Sequence, residues 1–270
     1  SLVLIGQRLN SFGITSAIDA NLNYKQMRAY NEARKQNRLT YRANLMFYLD
    51  PQFGSFEDNL RRLEEMDCVT GFGDEMLKLN GCKVTLDGIT AAFTAAMSRR
   101  EYRQRPGFYG DTIYTQEEID ALVCKATELG WQFGIHTIGD AAIHAALDIF
   151  EEARATYGPL PEGRRNCLEH LENFLPEDLG RLAELQVVAA VQPPHMTLDP
   201  GGPERDLGPG RVPYMWPLRT LLDRSTVLAF GTDSPVVDVN SMDVLYSAVT
   251  RQDPGTHEPA GGWLPDERIG

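Results

Sequence analysis

The stretch QFGIHTIGDAAIHAALDIFE, residues 132–151, runs from a short apolar segment through a Gly-Asp turn into a long segment with apolar residues at helical spacing. It reads as a buried strand followed by an amphipathic helix, with His136 presented where the strand ends. In α/β barrels, the C-terminal ends of the strands carry the chemistry. The same pattern recurs at Asn166-Cys167-Leu168-Glu169-His170 and at Val227-Leu228-Ala229-Phe230-Gly231-Thr232-Asp233. His136 and His170 lie about one βα repeat of ~30 residues apart, and Asp233 about two further on. The register therefore places all three at strand exits.

Working outward, strand character is read at Ser16–Ala20, Arg42–Tyr48, Gly81–Leu86, Gln132–Ile138, Asn166–Glu169, Val187–Gln192 and Val227–Gly231. Helical period is read at Tyr24–Lys35, Phe56–Glu65, Gln116–Gly130, Ala141–Tyr157, Pro176–Leu185 and Ser241–Thr250. Thr115 followed by Glu118 has capping-box spacing, and Pro176-Glu177-Asp178 suits a first helical turn. This alternation predicts a parallel sheet with helices packed outside it. Residues 2–12, closed by Gly13, read as the end of a helix. The stretches about Pro200–Pro213 and Asp253–Gly262 read as mobile active-site loops. At 270 residues, one large domain over 1–270 is expected.

The composition is ordinary for a globular chain, with 42% hydrophobic and 24% charged residues. A net charge of −12 argues against a nucleic-acid partner, which would require a concentrated Lys/Arg surface. Cys68, Cys82, Cys124 and Cys167 have no paired spacing and read as reduced thiols, which points to the cytoplasm. No apolar run is long enough for a membrane span. A small-molecule substrate is the expected partner, and a homo-oligomer stays open.

Two imidazoles and a carboxylate suit zinc or a similar divalent ion, which makes hydroxide available near neutral pH. An Asp beside that water could take its proton and pass it to a leaving group. Each histidine taken alone is more readily a hydrogen-bonded polar residue near a surface, and Gly-Thr-Asp is a common turn. Three in matching register favour a site. Lys83, inside the apolar strand Gly81–Leu86, must be paired, modified or snorkelling to the surface. His144, within the helix, reads as structural, and His257, in a polar loop, as solvated. Arg99, Arg100, Arg103 and Arg105, with Tyr102, Phe108 and Tyr109, read as a solvated basic loop rather than a pocket.

The stretches LNSFGITSAIDA (9–20), KVTLDG (83–88), IHTIGDAAIHAALDIFE (135–151), CLEHLENFLPEDLGRLAELQVVAAVQPPH (167–195), WPLRTLLD (216–223) and FGTDSPVVDVNSMDVLYSAVTRQDP (230–254) carry a resemblance. The chain resembles the amidohydrolase superfamily, and within it amidohydrolase family 3. The resemblance implies a (β/α)8 TIM-barrel-like fold holding one or two divalent metals, with zinc as the expected ion. It implies Lys83, often carboxylated in the family, together with His136, His170 and Asp233, as metal ligands. Asp233 would also shuttle the proton, and His195 and Arg219 would lie near the substrate.

The family's strand-one His-x-His pair, its small β-sandwich and its last helices have no counterpart here. The expected barrel is therefore incomplete, truncated at both ends, with ligands for one metal subsite of Lys83, His136 and His170. The implied activity is hydrolysis of an amide or cyclic amide C–N bond by metal-activated hydroxide. A non-catalytic fragment lacking the His-x-His pair and a metal-dependent esterase or phosphoesterase are the alternatives.

Overall fold

A computed structural model describes residues 2–66, 68–99 and 101–270. The chain runs α1 (Leu2–Ser11), β1 (Ser16–Leu22), α2 (Tyr24–Lys35), β2 (Arg42–Tyr48), α3 (Phe56–Glu64) and β3 (Leu77–Thr85). It continues through α4 (Gln116–Glu128), β4 (Phe133–Thr137), α5 (Asp140–Tyr157), β5 (Cys167–His170), α6 (Arg181–Leu185) and β6 (Val188–Val191). The last elements are α7 (Gly202–Asp206), α8 (Leu218–Asp223), β7 (Leu228–Phe230) and α9 (Ser241–Thr250). The seven strands form one sheet in chain order. The pairs β1–β2, β2–β3, β5–β6 and β6–β7 are all parallel, the α/β arrangement expected of strands alternating with helices.

The chain divides into two compact units. One comprises Ser1–Val84, Asp120–Gly134 and Ala153–Arg164, and the other Thr85–Ile119, Ile135–Glu152 and Arg165–Gly270. The core of the first holds Leu45, Met46, Phe47, Leu63, Val84, Trp131 and Phe133. Within it the Cys82 N–H donates to the Gln132 carbonyl at 3.0 Å. The core of the second holds Leu86, Ile135, Ile143, Leu147, Leu168, Val191, Leu218 and Ala248. There the Leu86 N–H donates to the His136 carbonyl at 3.1 Å.

Local signals explain most of the boundaries. At α4 the Glu118 N–H donates to Thr115 Oγ1 at 3.3 Å, and the Thr115 N–H to the Glu118 carboxylate at 2.9 Å, completing a capping box. Asn23 and Gln26 do the same for α2. Gly13, at φ 73°, takes the left-handed turn that leads out of α1.

Three readings are refined. The helix expected over Pro176–Leu185 is two pieces, a 3-10 turn at Pro176–Asp178 and α6 after Gly180. The break follows from Gly180, a poor helix former, and from Asp178, whose carboxylate is fully buried instead of facing solvent. The 200–213 stretch contains α7 and a 3-10 turn at Val212–Tyr214. It is tied down where the Arg103 N–H donates to the Asp206 carbonyl and the Gln104 amide to the Asp206 carboxylate. The 253–262 loop is built on the Asp253 carboxylate, which accepts from the Gly255 and Thr256 N–H groups at 3.0 and 2.7 Å.

None of the four cysteines is in a disulfide among the described residues, and Cys82 is buried. Among the described residues no helix is long and apolar enough to cross a membrane.

Candidate metal centre

β4 delivers His136 to its C-terminal end. There the ring Nε2 lies 3.2 Å from the Gly88 carbonyl and 3.8 Å from Asp87 Oδ1. A carbonyl only accepts, so Nε2 carries a proton, and Nδ1 is the nitrogen with the lone pair when the ring is neutral. Asp87 is fully buried and accepts three main-chain hydrogen bonds, from Ala96 at 2.9 Å, Ile138 at 3.0 Å and Gly139 at 2.7 Å. Burial pushes its carboxyl up to about 7, with the charge of Asp140 adding to the rise and the three N–H donors opposing it. A side chain at Gly139 would put its Cβ 2.0 Å from the Ala96 carbonyl oxygen, so only glycine lets this turn close onto Asp87.

β5 ends on His170, and both it and Leu171 have left-handed backbone, with φ of 75° and 54°. Non-glycine residues avoid this region at a cost of roughly 1–2 kcal/mol each. The bend is held where the Leu171 N–H donates to the Thr137 carbonyl at 2.9 Å. His170 Nδ1 lies 2.8 Å from Gln192 Oε1. The His136 and His170 rings meet edge to face with centroids 4.3 Å apart.

Beyond β6, the 3-10 turn Pro193–Thr197 carries His195, whose ring lies parallel to that of His170 with centroids 6.2 Å apart. Burial lowers its pKa and favours the neutral imidazole, while the Asp233 charge and a backbone hydrogen bond with Thr232 pull the other way. After β7, Asp233 sits at φ 53°. One ligand-capable atom from each of His170, His195 and Asp233 lies within 4.8 Å of the other two.

The donor set fits a divalent cation. Two neutral imidazoles and a carboxylate are borderline-to-hard ligands of the kind zinc takes. Among the described residues, His195 Nε2 is buried with no hydrogen-bond partner, an arrangement that costs about 1–3 kcal/mol and that a bound ion would relieve.

Two buried groups near this cluster gave no clear sign in the sequence. Glu172 is buried and its carboxyl is pushed up to about 8 by burial, with the Asp87 charge adding to the rise and the Thr90 hydroxyl, 3.2 Å away, opposing it. Gln192 was visible only as the residue before Pro193-Pro194-His195. The cue for Glu172 and Asp87 was an acid within a few residues of a strand-end ligand candidate, a weak signal because acids at such turns are common.

Lys83 is buried near the end of β3, in the first unit, opposite Tyr48 in the β2 register. Arg219 lies on α8 and pairs with Asp223 one turn on, Nε to Oδ2 at 3.0 Å, with its side chain half exposed. His144 is on α5, bonded through Nδ1 to the buried Asp178 carboxylate at 3.0 Å. His257, read as solvated, is exposed but shares a 2.7 Å hydrogen bond with the Tyr246 hydroxyl. In the basic loop, Arg99 pairs with Glu177, Arg103 donates to the Glu204 carbonyl, and Arg105 lies over the Phe93 ring. Arg100 lies outside the described residues.

A family model described as the amidohydrolase family matches residues 5–268. The chain belongs to the amidohydrolase family. This amidohydrolase chain is 33% identical over 196 residues to Protein LONG AFTER FAR-RED 3 of Arabidopsis thaliana, covering 72% of the chain and 33% of that protein. It is 22% identical over 284 residues to the N-substituted formamide deformylase of Arthrobacter pascens, covering 98% of the chain and 48% of that protein. Among solved structures it is similar to a metal-dependent hydrolase from Pyrococcus furiosus, with a TM-score of 0.81 and 27% identity, covering 99% of this chain and 51% of that one. The chain thus spans between a third and about half of these relatives.

Proposed function

We propose that the protein containing this chain is a metal-dependent hydrolase that cleaves the C–N bond of an amide or cyclic amide in a small molecule. The observation that carries the reading is the convergence of His170, His195 and Asp233 within 4.8 Å from three successive strand exits. A divalent ion bound there, with zinc as the first expectation, supplies Lewis acidity and lowers the pKa of water towards about 7.

The chain's own residues have separable tasks. His170 and His195 bring neutral imidazole nitrogens, and Asp233 brings a carboxylate that both ligates and carries a proton from attacking water to the departing nitrogen. His136, edge to face with His170, contributes its Nδ1 lone pair. The neighbouring backbone hydrogen bonds on Asp87 hold the turn after β4 in place. Amide cleavage is favoured over ester cleavage because the curated relative from Arthrobacter pascens is named for removing a formyl group from nitrogen.

Lys83 is proposed as a carboxylated lysine, which would account for its burial in β3. Incorporation of 13C-bicarbonate should give a carbamate resonance that is absent in Lys83→Ala.

The test is metal content and hydrolysis of N-substituted formamides, cyclic amides and matched esters, measured on the protein and on His170→Ala and Asp233→Asn. A stoichiometric divalent metal and amide turnover, both lost in His170→Ala, are expected. Metal binding without hydrolysis of any amide, or preferential turnover of the esters, would overturn the C–N assignment.

A further inference from the structure

Gln192 is buried at the end of β6, and a hydrogen bond to the main chain sets the orientation of its carboxamide. Its Nε2 donates to the Ala190 carbonyl at 3.3 Å, and a carbonyl can only accept. The opposite end of the amide, Oε1, therefore faces His170 Nδ1 at 2.8 Å. An amide oxygen likewise only accepts, so His170 Nδ1 must carry the ring proton. His170 Nε2 is then the nitrogen that brings a lone pair.

We propose that Gln192 is a positioning residue that locks His170 in the Nδ1–H tautomer, fixing Nε2 as the nitrogen offered to the cation shared with His195 and Asp233. The role of the cation rests on the hydrolase reading above, whereas the tautomer lock does not. Outer partners of this kind set ring orientation and ligand basicity, and losing one typically lowers metal affinity about 10–100-fold.

His136 provides an internal control. Its Nε2 faces the Gly88 carbonyl at 3.2 Å, so the two adjacent imidazoles are held in opposite tautomers by different acceptors. The Gly88 acceptor is main chain and no side-chain substitution removes it. Changing Gln192 should therefore release the tautomer of His170 and leave that of His136 unaltered, a selectivity that general loosening of the fold would not produce.

The experiment is long-range 1H–15N correlation of the imidazole rings in metal-free protein, with signals assigned through His136→Ala and His170→Ala, together with zinc affinity by competition against a chromophoric chelator. Wild-type His170 is expected as Nδ1–H and His136 as Nε2–H. Gln192→Leu should lose the single His170 tautomer, retain that of His136, and bind zinc about 10–100-fold more weakly. Gln192→Glu, which keeps an acceptor oxygen, should restore the Nδ1–H form of His170. If neither wild type nor variants bind zinc but the tautomers respond as described, the positioning role stands and the hydrolase reading falls. An Nε2–H form of His170 in wild type, or an unchanged His170 tautomer in a folded Gln192→Leu protein, would overturn the proposal.

Discussion

The rings of His170 and His195 lie parallel, 13° apart in plane and 6.2 Å apart in centroid, although one ends a strand and the other belongs to a 3-10 turn after the next strand. A stacked pair with a buried, unpartnered Nε2 on His195 is poorly explained by packing alone, because an apolar ring would fill the same space without the unsatisfied nitrogen.

From this pair follows the first prediction. His195→Phe should abolish or strongly weaken zinc binding with little net change in thermal stability, because loss of the unpartnered Nε2 offsets loss of the hydrogen bond with the Thr232 backbone. Metal analysis and calorimetry on the same metal-free preparations would check it. A variant that retains full zinc affinity would assign His195 to the substrate side instead.

How much of this could be read from the sequence follows the physics of each signal. All seven strands could be read because buried parallel strands are short apolar runs between helical segments. β3 begins earlier than expected, at Leu77, since Lys78 and Asn80 interrupt the apolar pattern yet Lys78 pairs with Asn44 of β2 and pairing resumes at Gly81 after a register shift at Asn80. The short α7 and α8 carry too few turns to show a period. His170 and Asp233 announce themselves by register. Gln192 and Asp87 do not, because their role is a hydrogen bond to another element, and no spacing along the chain encodes that.

Asp87 joins three main-chain donors on two segments, and the second prediction concerns that junction. Asp87→Asn keeps the shape but replaces one acceptor oxygen with a donor that faces N–H groups. A loss of about 1–3 kcal/mol is expected for each group left unpaired, so urea denaturation should show Asp87→Asn clearly destabilised. Hydrogen exchange should show protection lost first at Ile138 or at Gly139, which bond to opposite oxygens of the carboxylate. Unchanged protection at both amides would contradict the junction role.

A third prediction follows from the buried Asp178 carboxylate, which receives His144 at 3.0 Å and Arg181 at 3.1 Å. Arg181 also reaches Asp148 at 2.7 Å and Glu151 at 2.8 Å. Asp178→Ala therefore leaves Arg181 with two acids and His144 partly in solvent, and its cost should fall below the roughly 3–5 kcal/mol of breaking an isolated buried pair. Arg181→Ala should cost more than His144→Ala, because it removes the only permanent cation bonded to Asp178 among the described residues. Denaturation midpoints for the three variants would settle the order.

The last prediction concerns acid. The Asp253 carboxyl is held below the usual carboxylate range chiefly by the Thr256 N–H, with the Thr256 hydroxyl, the Gly255 N–H and the nearby His257 adding to the effect. A carboxyl whose folded pKa is depressed contributes stability that is fully present above its unfolded pKa and is lost as pH falls through the folded value. The 253–259 loop should therefore keep its hydrogen bonds at pH 5 and above and release them only under acid stronger than about pH 4, the ordinary aspartate range. Because the group is exposed, the effect should be local. Amide exchange at Gly255 and Thr256, followed from pH 6 to pH 3, should speed up beyond the intrinsic rate only at the acid end. In Asp253→Asn, which keeps one acceptor oxygen without the charge, that acid-end change should vanish. Loss of protection that begins at pH 6 in the unaltered protein would overturn the role of the Asp253 carboxylate in holding this loop.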